Sequence, residues 1–384
     1  MKSKSKIKKR TQLIYMTTNT HTRREFIRLT SIAAAGAPWL AAVSCRAGLA
    51  DPNRKLGFAL CGLGGLSTGQ LAPALQKTQH CRLAGIITGT PAKAAAWKAR
   101  YNIPDKNIYN YDTMTRLADN PDIDVVYVVT PNFRHGELTI KAAQAGKHVL
   151  SEKPMEVSVE QCQKMIDACK AANRMLAIGY RNRFEPHALE CIRLAREKVF
   201  GSVTSIEAGF GFILGDPNQW RVKHALSGGG ALMDVGIYAL QTARYISGAE
   251  PMEVSATETK TDLVKFKEVD ETMAFHLKFP GGVTASCRTS FNSGALNSFR
   301  ATAEKGWFEL APAHNYSGVR GRRSDGKTID GPDVDQFAVE MDDFSLCIMN
   351  NKPSIVPGEE GLRDVKIMMA IYESAKTGKP VKLG

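Results

Sequence analysis

The sequence predicts an α/β protein whose first domain carries a parallel sheet and whose second is an α+β domain with a large open, mostly antiparallel sheet. Three observations predict it. Apolar runs alternate with amphipathic helical stretches up to about residue 180, the pattern of strands buried on both faces and joined by helical crossovers. A glycine-rich turn follows the first of those runs. Beyond residue 180, strand-like segments succeed one another with little helix between them, as in an antiparallel sheet.

Each element has its own warrant. "KLGFALC" is an apolar strand that opens into "GLGGLSTG", and "STGQLAPALQKT" is the helix after it. "CRLAGIITG" is a second strand, and "PAKAAAWKARY" is a helix begun by Pro91, whose missing N–H costs nothing there. "DVVYVVTPN" is a strand and "FRHGELTIKAAQAG" a helix. "HVLSEKP" is a strand that ends in a charged pair and a proline, residues 159–172 form a helix, and "RMLAIGY" closes the domain. The second domain takes its strands from "GSVTSIEAGFGF", "PMEVSATETK", "ETMAFHLKFP", "GVTASCRTSF", "SFRATAEKG" and "WFELAP", with helices at 186–198, 229–245, 333–349 and 359–375. The expected boundaries are 1–50, 51–180 and 181–384.

The net charge of +13 is concentrated at the front. Residues 1–50 hold ten of the 51 Lys and Arg and one of the 38 Asp and Glu, which leaves 41 basic against 37 acidic residues, a balance of +4. The rest carries no basic stripe interleaved with aromatics, so nucleic acid is not an expected partner. In the head, Arg23-Arg24 precede Phe26-Ile27 and an Ala-rich uncharged run from Leu29 to Ser44. This resembles a twin-arginine export signal, and it implies a periplasmic protein. The run is too short and too weakly apolar to span a membrane. "AVSC" ending at Cys45 is a loose match to a lipid-anchor site, with cleavage near Ala50 the favoured alternative. The eight cysteines show no CxxC pair or zinc-type spacing, so neither a metal nor a disulfide framework is expected.

Chemistry concentrates in a few segments. In "CGLGGLSTG", Gly62 allows a tight turn and Gly64 allows a phosphate to approach the backbone, with Leu63, Gly65 and Leu66 completing the loop. Ser67 stands where a third small residue packs helix on sheet. This is the fingerprint of a Rossmann dinucleotide-binding domain. The second strand ends in Thr88 and Gly89, with Lys93 one turn into the next helix, where a binder of NAD places a carboxylate. A hydroxyl, a helix start and an ammonium suit a 2′-phosphate, so the expected cofactor is NADP. Asp234 and Tyr238 lie four apart on one helix face. Lys153 ends a strand at the sheet's carboxyl edge, which on its own fits either a solvated charge or a catalytic ammonium.

Together, the Gly-rich turn, "TPNFRH", "EKP", "DPNQWR" and "GGGALMDVGIY" give the chain, from Lys55 nearly to its end, a close similarity to the Gfo/Idh/MocA family, which takes its name from glucose-fructose oxidoreductase, inositol dehydrogenase and a rhizopine-catabolism enzyme. The chain looks most like the glucose-fructose branch. The resemblance implies that Lys153 faces the nicotinamide and the reacting sugar oxygen, with Glu152 lining the site and Pro154 fixing the turn. It makes Tyr238 the acid/base and gives Asp234 the task of ordering Lys153 or a sugar hydroxyl. It places Thr130, Pro131, Asn132 and His135 along the nicotinamide ribose, and Tyr111, Arg181, Trp220 and Arg221 against the cofactor. Phe184 replaces a tyrosine of that branch, which removes a hydroxyl expected near the sugar. The branch's Pro-rich exchange arm has no counterpart before Lys55, so a homodimer or homotetramer would form through the open sheet faces.

The implied activity is hydride transfer between C1 of an aldose, yielding a lactone, and tightly bound NADP, regenerated by a second sugar. The alternatives are a conventional NADP-dependent sugar dehydrogenase or reductase with exchangeable cofactor, a glycosidase of the same superfamily, and a non-catalytic sugar-binding protein.

Overall fold

The computed structural model describes residues 54–384. The expected export signal and Cys45 lie outside them. Six parallel strands form the first sheet: β1 (Leu56–Cys61), β2 (Cys81–Ile87), β3 (Ile108–Tyr109), β4 (Val125–Val128), β5 (His148–Glu152) and β6 (Leu176–Gly179), in the order β3-β2-β1-β4-β5-β6. β1 and β4 are buried along their whole length, as their unbroken apolar sequences require of strands with helices on both faces. The order reverses between β1 and β4, and the carboxyl ends on either side of such a reversal form a crevice.

The helices here are α1 (Ala72–Leu75), α2 (Pro91–Tyr101), α3 (His135–Gln144) and α4 (Val159–Ala171). α1 is preceded by a wide π turn over Ser67–Leu71 and is shorter than its sequence suggests. β3 has only two residues, too few for an apolar pattern to reveal. α4 is capped by Ser158, whose hydroxyl accepts from the Gln161 N–H.

The second sheet has nine strands: β7 (Val203–Gly211), β8 (Glu253–Thr259), β9 (Thr272–Lys278), β10 (Thr284–Ser290), β11 (Asn297–Ala303), β12 (Gly306–Leu310), β13 (Gly321–Arg323), β14 (Thr328–Ile329) and β15 (Val381–Lys382). Every pairing in it is antiparallel except β7 with β10. That parallel pair requires a crossover, and the crossing chain carries α6 (His224–Ser227), a π turn over Leu232–Gly236 and α7 (Ile237–Ser247). Asp234 and Tyr238 therefore arrive on the element that bridges the sheet.

α5 (Pro186–Arg196), α8 (Gln336–Met349) and α9 (Gly358–Thr377) complete the fold. α8 and α9 come from the far end of the chain yet hold the first sheet. Asp342 on α8 accepts from the Gln79 and His80 N–H groups at 2.8 and 2.7 Å, Lys77 pairs with Asp335, and Lys170 of α4 pairs with Glu359 of α9. All seven described cysteines are free and buried, the behaviour of small core hydrophobes.

Candidate active site

The turn after β1 shows why glycine stands at 62. Its φ is +101°, and a Cβ there would lie 2.7 Å from the Val129 carbonyl oxygen, so a side chain meets both strain and a clash. At Gly64 and Gly65 an added Cβ would touch nothing within 4 Å, which leaves the loop's outer side open to a ligand. Ser67 does more than stay small: its hydroxyl donates to the Gly62 carbonyl at 2.6 Å and ties the helix start to the turn.

The loop forms one end of a cleft of about 730 Å³. At the end of β2, Thr88 is buried and accepts from the Thr90 N–H, and Lys93 reaches back to donate to the Leu63 carbonyl at 3.1 Å. Gly89 does not line the cleft; it packs under the Tyr111 ring, which a Cβ would meet at 3.0 Å. The Arg134 guanidinium covers the other region of that ring, 4.1 Å from its centroid. Asn132 donates to the Ser227 carbonyl. His135 is 1% exposed with both ring nitrogens 2.9 Å from main-chain oxygens, those of Pro154 and Thr130. It thus pins the turn after β5 to the turn after β4, and burial holds its pKa below the usual value. The Thr130 hydroxyl is buried with no partner among the described residues, and it belongs to the cleft lining. An open glycine loop, an unpaired hydroxyl and a reachable ammonium fit a phosphorylated dinucleotide.

At the opposite end β5 delivers Lys153 to the crossover helix. Its Nζ donates to the Asp234 carbonyl at 2.6 Å and carboxylate at 3.3 Å, and sits 5.0 Å from the Tyr238 ring centroid. Arg221 donates to the second Asp234 oxygen at 2.8 Å, while its guanidinium lies 4.6 Å from the Trp220 ring. Burial opposes both charges of this cluster. The surrounding Tyr238, Asp234 and Glu152 nevertheless keep the Lys153 pKa above its ordinary value, and Arg221 with Lys153 keeps Asp234 below the ordinary range.

The phenol oxygen of Tyr238 takes its hydrogen bond from Arg181 Nε at 3.2 Å rather than from Lys153. Arg181, 3% exposed, also donates to Gln336, Asn182 and the carbonyls of His314 and Asn315. Every predicted site residue except Gly89 lines the one cleft. Phe184 does not: it is buried in the core, so the missing hydroxyl leaves the cleft wall untouched.

Sequence reasoning missed the wall facing Tyr238, which comes from Phe210, Phe212, His314, Asn315, Tyr316 and Phe337. "AHNYSG" directly after a strand was the available signal. Arg181 can only donate, so the Asn182 oxygen faces it and the Asn182 NH₂ faces His314 Nδ1 at 2.8 Å. The ring proton therefore sits on Nε2, and burial with nearby Arg181 lowers this histidine's pKa to about 3. No cluster of metal-ligating side chains occurs among the described residues, and no helix among them is long and apolar enough to cross a membrane.

A nucleotide-type cradle that opens onto a Lys, Asp and Tyr cluster defines an oxidoreductase. A family model described as an oxidoreductase family with NAD-binding Rossmann fold matches residues 56–180, and the GFO/IDH/MocA C-terminal domain matches 189–309. The chain is 43% identical to a crystal structure of aldose-aldose oxidoreductase from Caulobacter crescentus complexed with glycerol, over 86% of this chain and 100% of that one, with a TM-score of 0.83. It is 31% identical to D-xylose 1-dehydrogenase [NADP(+)] of Haloarcula marismortui, over 85% of this chain and 92% of that protein. Against D-xylose 1-dehydrogenase (NADP(+)) 2 of Haloferax volcanii the identity is 30%, over 85% and 99%. The chain belongs to the Gfo/Idh/MocA oxidoreductase family.

Proposed function

We propose that the protein is an NADP-dependent sugar oxidoreductase that oxidises an aldose at C1 to a lactone and passes the electrons to a second sugar, keeping its NADP bound throughout. The observation that carries this reading is the convergence of Lys153, Asp234 and Tyr238 at the end of the cleft opposite the glycine loop. The likeness to an aldose-aldose oxidoreductase supports the two-sugar form. The NADP named for the xylose dehydrogenases agrees with Lys93 and the lack of a carboxylate after β2.

When bound, the nicotinamide would supply the acceptor and donor of hydride. The loop from Gly62 to Leu66 would hold the pyrophosphate by its N–H groups, and Thr88 and Lys93 would take the 2′-phosphate. Trp220 and Arg221 would cover the dinucleotide. Tyr238 takes the proton from the C1 hydroxyl as its phenolate and, as the phenol so formed, gives it to the carbonyl oxygen of the second sugar. Arg181 donates to its Oη, so the phenol's hydrogen is free for a sugar oxygen, and the phenolate's negative charge meets two cations. Asp234 holds Lys153 at the reacting oxygen.

Export by the twin-arginine route, which carries folded proteins, belongs to the same proposal: a nucleotide enzyme in the periplasm must leave with its cofactor and regenerate it in place. Assembly would use the uncovered face of the second sheet, where Lys278, Ser286, Arg288 and Arg300 are exposed. The second reading is a dehydrogenase with exchangeable NADP, which the xylose dehydrogenase relatives favour. Mass spectrometry of the ligand released on denaturing the exported protein tests the choice, together with near-ultraviolet absorbance after sugar is added. NADP in the released fraction and cycling without added cofactor support the first reading. A ligand-free protein that turns over only with free NADP establishes the second.

A further inference from the structure

Behind Lys153 lies a polar chain that the reaction above does not use. Glu152 lines the cleft, and its Oε1 accepts from the Tyr127 hydroxyl at 2.8 Å. The same hydroxyl lies 3.3 Å from Oε2 of Glu340 on α8. All three residues are buried, Tyr127 completely. They come from β4, the end of β5 and a helix some 190 residues further along, so no local turn explains the meeting.

The hydrogens can be counted. Tyr127 has one to give, and the shorter distance assigns it to Glu152. Two ionised carboxylates would then leave the 3.3 Å contact as oxygen facing oxygen with nothing between. Glu340 Oε1 has no partner among the described residues, an expensive place for half of a buried carboxylate charge but a tolerable one for a carbonyl oxygen. Glu152, by contrast, also accepts from the Lys153 N–H at 3.2 Å, and the positive charge of that lysine favours its ionised form. We infer that Glu340 is a neutral carboxylic acid donating through Tyr127 to an ionised Glu152, so that Glu340 and Tyr127 are positioning residues that leave a single negative charge, on Glu152, in the chain behind Lys153.

Burial of Glu340 and repulsion from Glu152 raise the Glu340 pKa well above the carboxylate range, in agreement. Burial also raises the Glu152 pKa, but Lys153, Tyr127 and Arg181 work against that rise. The role, though not the proton count, rests on the proposed function of the cleft.

Two measurements on the full-length enzyme separate these levels. In infrared spectra at neutral pH, parent minus Glu340→Gln should show a protonated-carboxyl carbonyl band, and parent minus Glu152→Gln should show an ionised-carboxylate pair instead. A Glu340 difference with no such band, or the band in the Glu152 difference, overturns the inference. In turnover, Glu340→Gln keeps an N–H donor to Tyr127 and should hold kcat/KM within about threefold of the parent, while Glu340→Met should lose about tenfold, one hydrogen bond's worth. Equal losses in Gln and Met, with unchanged thermal stability, would show that the carboxylic acid itself is needed and would overturn the donor role. A parent with the band but no sugar oxidation would overturn the function proposed for the cleft and leave the proton assignment standing.

Discussion

Replacing Lys153 with Met removes one of the two cations at the Tyr238 ring and keeps the side chain's length. The ammonium sits about 5 Å from the Tyr238 ring centre, and at an effective dielectric constant of 20 a unit charge there is worth about 3 kcal/mol to charge developing on the phenol. That corresponds to somewhat more than a hundredfold in rate. Arg181 remains, with its guanidinium 4.9 Å from the same ring and its Nε bonded to the hydroxyl, so the loss should stop near 10²–10³-fold, at the lower end of acid–base catalysis. Single-turnover reduction of the nicotinamide by aldose reports this step without product release. Tyr238→Phe should cost a similar factor, and the double variant should lose little beyond the worse single one, because the two groups act on one proton. A Lys153→Met enzyme that keeps more than a tenth of the parent's rate, or a double variant whose losses multiply, would refute the arrangement.

Two further outcomes follow from the structure. Glu156, 2% exposed, accepts from the Val157 and Ser158 N–H groups, yet burial raises its pKa to about 7. Its neutral form is favoured by folding, so its stabilising contribution is complete below pH 4.5 and is lost as the pH rises to 7. Relative to Glu156→Gln, the parent should lose up to about 3 kcal/mol across that window in urea titrations, and parallel curves would exclude the shift. Lys93→Ala should weaken NADP binding tenfold or more, the worth of one charge-assisted hydrogen bond, and leave NAD binding nearly unchanged; calorimetry with both nucleotides distinguishes this from an equal loss.

Much of this was readable from the chain alone. Strands such as β1 and β4 are buried on both faces and so appear as unbroken apolar runs, and Asp234 and Tyr238 show helical spacing, although Asp234 falls in the π turn that precedes α7. β3, β13, β14 and β15 are two or three residues long, shorter than any period, and only their neighbours make them strands. In the site, motifs at strand ends gave Gly62, Lys153 and the Thr130 to His135 turn. The facing wall was hidden because His314 and Tyr316 follow β12 in an irregular segment with no spacing of its own. The hydrogen-bond partner of the Tyr238 hydroxyl was hidden for a related reason. Arg181 follows a strand end, as cofactor contacts often do, but its guanidinium turns toward α8 and the segment at 314–315, and only the tertiary fold brings those together.

The late return of the chain to its own beginning has a practical consequence. With α8 and α9 laid over the first sheet, a fragment ending at residue 180 would keep every phosphate-binding glycine but lose the carboxylate of Asp342 under Gln79 and His80, and would bare Leu176 and Ile178 to water. The nucleotide half is therefore finished only when the last fifty or so residues have been synthesised. Premature termination should yield aggregates rather than a small, soluble nucleotide binder.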